Sequence, residues 1–325
     1  MRQRHRRASS ALAALTVLAL AGCSGTDSGP AVASSPPAAP PGTSAQPPAS
    51  NDPATWDLPL IRYQPTTEQA RTIRQARETL IEQCARRYGI TLTPDPELPP
   101  LGPKNQMDWR YGIHERDLTE RRGYQVDDKQ QARYDAALQA QSSRPRPPRD
   151  TPVVVNGTKL PPEALAATSA DAQKGIVAGK PVPDGGCSGE ANRALGTSTQ
   201  GFAPLVDRLM NASYPQSMKE PDVKDVFARW SACMRARGFS YSAPMDANDD
   251  PAFRASPSGV SRHEIDTALA DLDCRTTHRV AEVWHGAEAR IQAHAVTENA
   301  SDLATARRDL DHTVAVAQRI TASTH

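Results

Sequence analysis

Two distant stretches of this 325-residue chain follow one pattern. The first reads Cys84-Ala-Arg86-Arg-Tyr-Gly89-Ile90-Thr91-Leu92-Thr93-Pro94. The second reads Cys233-Met-Arg235-Ala-Arg-Gly238-Phe239-Ser240-Tyr241-Ser242-Ala-Pro244. Both run Cys-x-Arg-x-x-Gly, then large apolar, hydroxyl, large apolar, hydroxyl, and soon proline. The pattern suits a helix that stops at a left-handed glycine and leaves as a short extended piece with alternate residues buried. Agreement over so many positions points to an internal duplication, with a first helical half over 57–195 and a second over 196–325.

Each half has a further cysteine, Cys187 in Gly185-Gly186-Cys187 and Cys274 in Asp271-Leu272-Asp273-Cys274. Of the five cysteines, Cys23 belongs to the N-terminal signal described next, which leaves an even number. An even set in an oxidising compartment reads as a disulfide framework. Four cysteines allow three connectivities; duplication favours Cys84 with Cys187 and Cys233 with Cys274. A metal or redox site needs close spacing such as Cys-x-x-Cys, which the sequence lacks.

The N-terminus is an address. Arg2, Arg4, Arg6 and Arg7 precede an uncharged run from Ala8 to Leu20, and the run breaks at Leu20-Ala21-Gly22-Cys23. A positive start, a short apolar run and small residues before a break make an export signal over 1–22. The run has 13 residues, against about 20 for a spanning helix. The last four residues resemble the bacterial lipobox, which implies cleavage between Gly22 and Cys23 and a lipid on the Cys23 sulfur. That lipid would anchor the chain to the outer face of the membrane, and the membrane is the first expected partner.

Residues 23–56 follow as a tether of Pro, Ser, Ala, Gly and Thr, too poor in apolar surface to offset ordering entropy. Removing 1–22 takes away four arginines and leaves 34 basic against 37 acidic groups, a net −3. That balance makes no electrostatic case for nucleic acid.

Beyond the tether the pattern is helical. Thr66 or Thr67 caps a helix to about Tyr88, with Ile73, Ala76, Leu80, Ile81 and Cys84 on one face. Pro221 opens a second helix to Arg237. Ser261 with Glu264 reads as a capping box for a third, running past Cys274 to about Val296. A fourth, Asp302 to Thr321, would fold back on it as an antiparallel hairpin. Shorter helices are expected at Asp128–Ala140, Gly189–Leu195 and Ala203–Ala212. Val153-Val154-Val155, Asn156-Gly157 and Thr158-Lys159-Leu160 read as a small β-hairpin with a type I′ turn. Thr91–Tyr124 and Gln141–Gly186 read otherwise as long Pro- and Gly-rich loops. The expected fold is mainly α, irregular, with two disulfides and one hairpin.

The lipobox and tether, "RRYGI…RYGIHERDLTERRGY", "GGCSGEA" and "WSACMRARGFSYSAP" resemble a group of exported lipoproteins and secreted proteins of actinobacteria. The resemblance covers most of the chain beyond the tether. It implies a cell-surface address and no particular activity.

The sequence carries no motif that commits it to a chemistry. His263-Glu264 opens like a zinc-protease helix, but position 267 is Thr. His278 and His285 are spaced to share a helix face with Glu282 between them; surface histidines do this commonly. Gly196-Thr-Ser198-Thr-Gln-Gly201 is not a nucleophile elbow, and no phosphate loop occurs. Asp249-Asp250, and Asp271 with Asp273, read as a turn and a helix face rather than paired acids. Asn156, Asn211 and Asn299 head glycosylation sequons, of no account beside a bacterial lipobox. No metal or cofactor is expected. Two aromatic groups remain: Trp109, Tyr111, His114 and Tyr124 on a loop, and Trp284-His285 on a helix. Such residues line binding sites or pin loops to a core. The expectation is a non-enzymatic binding protein of the envelope with a protein or cell-wall partner. The alternative is an extracytoplasmic hydrolase acting on cell-wall material.

Overall fold

The computed structural model describes residues 51–253 and 259–323. Gly22, Cys23 and the tether up to residue 50 lie outside the described residues, as does the export signal. Residues 51–56, the far end of the expected tether, lie within the described fold. Asp52 caps a 3-10 turn over Pro53–Thr55, accepting from the Ala54 N–H at 3.0 Å. Trp56, Leu58 and Leu60 are then buried.

The fold is mainly helical, as the periodicity predicts. Helix α1 spans Thr67–Arg86 and α9 spans Pro221–Ala236. At the start of α1, Thr66 Oγ1 accepts from Gln69 N–H while Gln69 Oε1 accepts from Thr66 N–H, a reciprocal cap. Both helices end alike. Ile90 N–H donates to Ala85 O and Gly89 N–H to Arg86 O; Phe239 N–H donates to Met234 O and Gly238 N–H to Arg235 O. Gly89 and Gly238 take φ of +69° and +91°. This is the same Schellman closure twice, with Cys84 and Cys233 at the same step of it.

Cys84 is bonded to Cys187 and Cys233 to Cys274, with Cα separations of 5.6 and 5.8 Å. The first bond joins α1 to the start of α7 (Gly186–Leu195), the second α9 to α11 (Arg262–His278). Closing loops of 103 and 41 residues stabilises by about 4 to 5 kcal/mol each on chain-entropy grounds.

Between these lie α2 (Arg116–Arg122), α3 (Asp128–Ser142), α4 (Thr151–Asn156), α5 (Pro162–Ala166), α6 (Ala170–Gln173), α8 (Pro204–Ser217) and α10 (Pro244–Asn248). The stretches expected as loops therefore carry short helices. The hairpin is elsewhere than expected. Val153 and Val154 sit in α4, both fully buried, and Gly157 at φ +77° ends the helix. A strand would turn one of two adjacent valines outward; a helix turn with Pro152 in its first turn buries both against α7. The strands are β1 (Ile176–Val177) and β2 (Lys180–Pro181), joined by Ala178 and Gly179 at φ +50° and +69°.

The third helix is also corrected. It breaks at Arg279, φ +54°, into α11 and α12 (Val280–Glu298). The break turns Trp284 into the core against Phe227 and Tyr214, with ring centroids 5.1 and 5.0 Å away. Helix α13 (Ala300–Ala322) does not fold back on α12 as a hairpin. Its Leu310, Val314 and Ala317 pack on Ile73 and Ala76 of α1 and Leu195 of α7.

Candidate functional site

A cleft of about 460 Å³ opens where the 51–56 segment, the 111–114 loop and the α11–α12 junction meet. Trp56, Tyr111, His114, Arg275, Arg279 and Glu282 line it. Trp56 and Tyr111 belong to an aromatic cluster that continues into the core behind the cleft. Tyr111 lies 5.6 Å from Trp284 and 5.7 Å from His285, and Trp56 lies 5.0 Å from His285, centroid to centroid. A His285 Nε2–H donates to the carbonyl of Asp57 at 2.8 Å, fastening the entering segment to α12.

The two aromatic groups singled out in the sequence are thus brought together, mostly as core. Tyr111, Trp284 and His285 are buried. Trp109 instead lies under the Arg122 guanidinium at 4.6 Å. Tyr124 donates to Asp271 at 3.0 Å. Besides Tyr111, only His114 of that set lines the cleft. Its Nε2 is 2.7 Å from Asp108 Oδ1 and its Nδ1 3.9 Å from Asp52 Oδ1. Asp108 is almost fully buried and also accepts from Lys104 N–H at 2.7 Å. These three side chains offer ligand atoms within 4.8 Å of one another.

Two buried charge assemblies stand beside the cleft, and sequence reading missed both. Glu288 is fully buried and accepts from Arg110 through two nitrogens, from Tyr111 Oη at 2.8 Å and from Ser213 Oγ at 2.7 Å. Burial works against the charge on Arg110, but Glu288 outweighs it and holds the guanidinium above its ordinary pKa. Burial, and then the Glu288 carboxylate, push the Tyr111 phenol far above its ordinary value. Asp271 accepts from Trp230 Nε1 at 2.8 Å and Arg275 Nε at 2.7 Å. Arg275 spends its remaining nitrogens on the carbonyls of Tyr111 and Pro244. Gly112, at φ +109°, makes room for it: a Cβ there would sit 2.3 Å from Arg275 Nη1.

A faint signal for these was present. Asp271 and Arg275, and Glu288 and Gln292, are polar pairs four apart on otherwise apolar helix faces. Asp273, by contrast, faces outward to Arg116 and Arg237, so Asp271 and Asp273 do not act as a pair. His278 and His285 fall on separate helices, which removes their shared face.

No family model matches the chain, and no similar curated protein or solved structure is found. No helix among the described residues is long and apolar enough to cross a membrane.

Proposed function

We propose that this chain is an exported lipoprotein, anchored at the outer face of the membrane through Cys23, whose folded part binds an envelope protein or cell-wall component without transforming it. The address rests on the Arg-rich start, the apolar run and Leu20-Ala21-Gly22-Cys23. The resemblance to actinobacterial exported lipoproteins and the two disulfides accord with it.

One observation carries the binding role. The permanently charged groups lining the cleft face opposite charges supplied by the chain itself: Arg279 pairs with Glu282, and Arg275 pairs with Asp271. A glycan hydrolase needs an acid and a carboxylate turned toward one scissile bond. Here the carboxylates are turned toward neighbouring cations.

In the native host, an alkyne-tagged fatty acid should label the wild-type protein, and Cys23→Ser should lose the label and appear in the medium. Unlabelled wild type retained in the cytoplasm would overturn the address. A photoreactive residue replacing Thr276, at the rim of the cleft, should trap a reproducible envelope component in living cells. Release of wall fragments by the purified protein, abolished in Glu282→Gln, would overturn the non-catalytic reading.

A further inference from the structure

A second surface, away from the cleft, has a different character. The loop between α7 and α8 runs from Gly196 to Ala203. Gln200 and Gly201 take consecutive positive φ values of +56° and +90°. For a glutamine this is an uncommon conformation that the surroundings must hold in place. The surroundings do so: Thr197 Oγ1 accepts from the backbone N–H groups of Thr199 and Gly201. Gly201 is wedged between helices, where a Cβ would lie 3.0 Å from Leu310 and 3.1 Å from Ile73. The result is that Phe202 is turned outward, one of three large apolar side chains exposed among the described residues.

Phe202 forms a wall of two grooves at once. One, of about 560 Å³, is lined by Thr197, Thr199, Arg208, Asp302, Thr305 and Asp309 among others. The other, of about 540 Å³, is lined by Gln64, Arg71, Asn105, Gln106 and Gln200 among others. Each volume is in the range of a small-ligand site. The side chains of Arg208, Asp302 and Asp309 make no hydrogen bond or ion pair with any described residue, in contrast to the paired charges of the first cleft.

We infer that this double groove binds a neutral, linear polysaccharide, with a sugar ring lying on Phe202 and neighbouring units in the two grooves. A sugar ring has an apolar C–H face that an exposed aromatic covers, and adjacent hydroxyls that a carboxylate or guanidinium engages two at a time. Asp302 and Asp309 disfavour a polyanion in the first groove, and in the second Arg71, Arg74 and Lys104 already pair with Glu68, Glu97 and Glu115. The hydroxyl, amide and mixed-charge lining disfavours a helical peptide, which needs a continuous apolar groove. This inference names a partner class for the binding role proposed above, but it rests on a separate site and does not depend on the lipid.

The test uses the mature protein in detergent with its disulfides intact, titrated calorimetrically with β-1,4-linked N-acetylglucosamine oligomers and with β-1,4- and α-1,4-glucan oligomers. At least one series should bind saturably and more tightly as the oligomer lengthens. Phe202→Ala should weaken it by about tenfold, the size of one lost stacking contact. Phe202→Tyr should retain binding, and Asp309→Asn should weaken it, with melting temperatures unchanged in all three. No binding to any series by folded wild type, or binding indifferent to Phe202 and Asp309, overturns the inference. So does a Phe202-dependent protein partner found in its place. The fatty-acid labelling of Cys23 reads the address independently, so either conclusion can fall while the other stands.

Discussion

Glu288 places a carboxylate where water does not reach, and four side chains converge to hold it. Removing one partner of such a pair leaves an uncompensated buried charge, at about 3 to 5 kcal/mol. Arg110→Ala should therefore lower the urea midpoint sharply, and a midpoint within error of wild type would contradict the network. The buried phenols give a second test. Burial raises the Tyr214 pKa to about 12, and Tyr111 and Tyr124 are raised by the same cause. A raised pKa contributes stability that is complete below the unfolded value, about 10 for a phenol, and lost as pH climbs toward the folded one. Unfolding free energy should fall steeply between about pH 10 and 12, less so in Tyr214→Phe. A flat profile over that interval would refute the assignment. Little of this was legible, because Arg110, Ser213 and Glu288 are separated by long stretches of chain and meet only once the helices pack. Only the four-residue spacings on apolar faces hinted at inward polar groups.

At the scale of elements, legibility followed the strength of local signals. Helices α1 and α9 were readable because each has a start residue, an apolar stripe and a stop glycine in agreement. The Asn156-Gly157 pair misled: it serves as a helix stop, with Gly157 N–H on Val153 O, rather than as a hairpin turn. The break at Arg279 carries no glycine or proline, so nothing local announces it; packing of Val280 and Trp284 decides it. The expected capping box at Ser261 is half formed. Ser261 Oγ accepts from Glu264 N–H, but the Glu264 carboxylate accepts from the backbone of Tyr124 and from Gln125. The equal placement of the two disulfides gives the element-scale prediction. Replacing Cys233 and Cys274 together by Ser should cost about 4 kcal/mol in guanidinium unfolding, and replacing Cys84 and Cys187 slightly more, since that loop is longer. Neutrality of either pair would mean that the helix ends hold without their bonds.

At the scale of the molecule the two halves read from the repeat are woven together. Helix α1 of the first packs along α13 of the second, and Leu58 and Tyr111 of the first share a core with Trp230 and Trp284 of the second. Periodicity foretold the helices, and the even cysteine set with the internal repeat foretold the two bridges. They could not foretell the Phe202 surface, which exists because a strained loop is seated between two helices remote in sequence. We propose a disulfide-locked helical domain tethered through Cys23. Intact and peptide mass spectrometry of the protein from envelopes of its native host tests it directly. The expected result is a lipid mass on an N-terminal Cys23, four fewer hydrogens from two disulfides, and linked peptides joining Cys84 to Cys187 and Cys233 to Cys274. An unmodified N-terminus starting at Met1, or free thiols at those four positions, would contradict it.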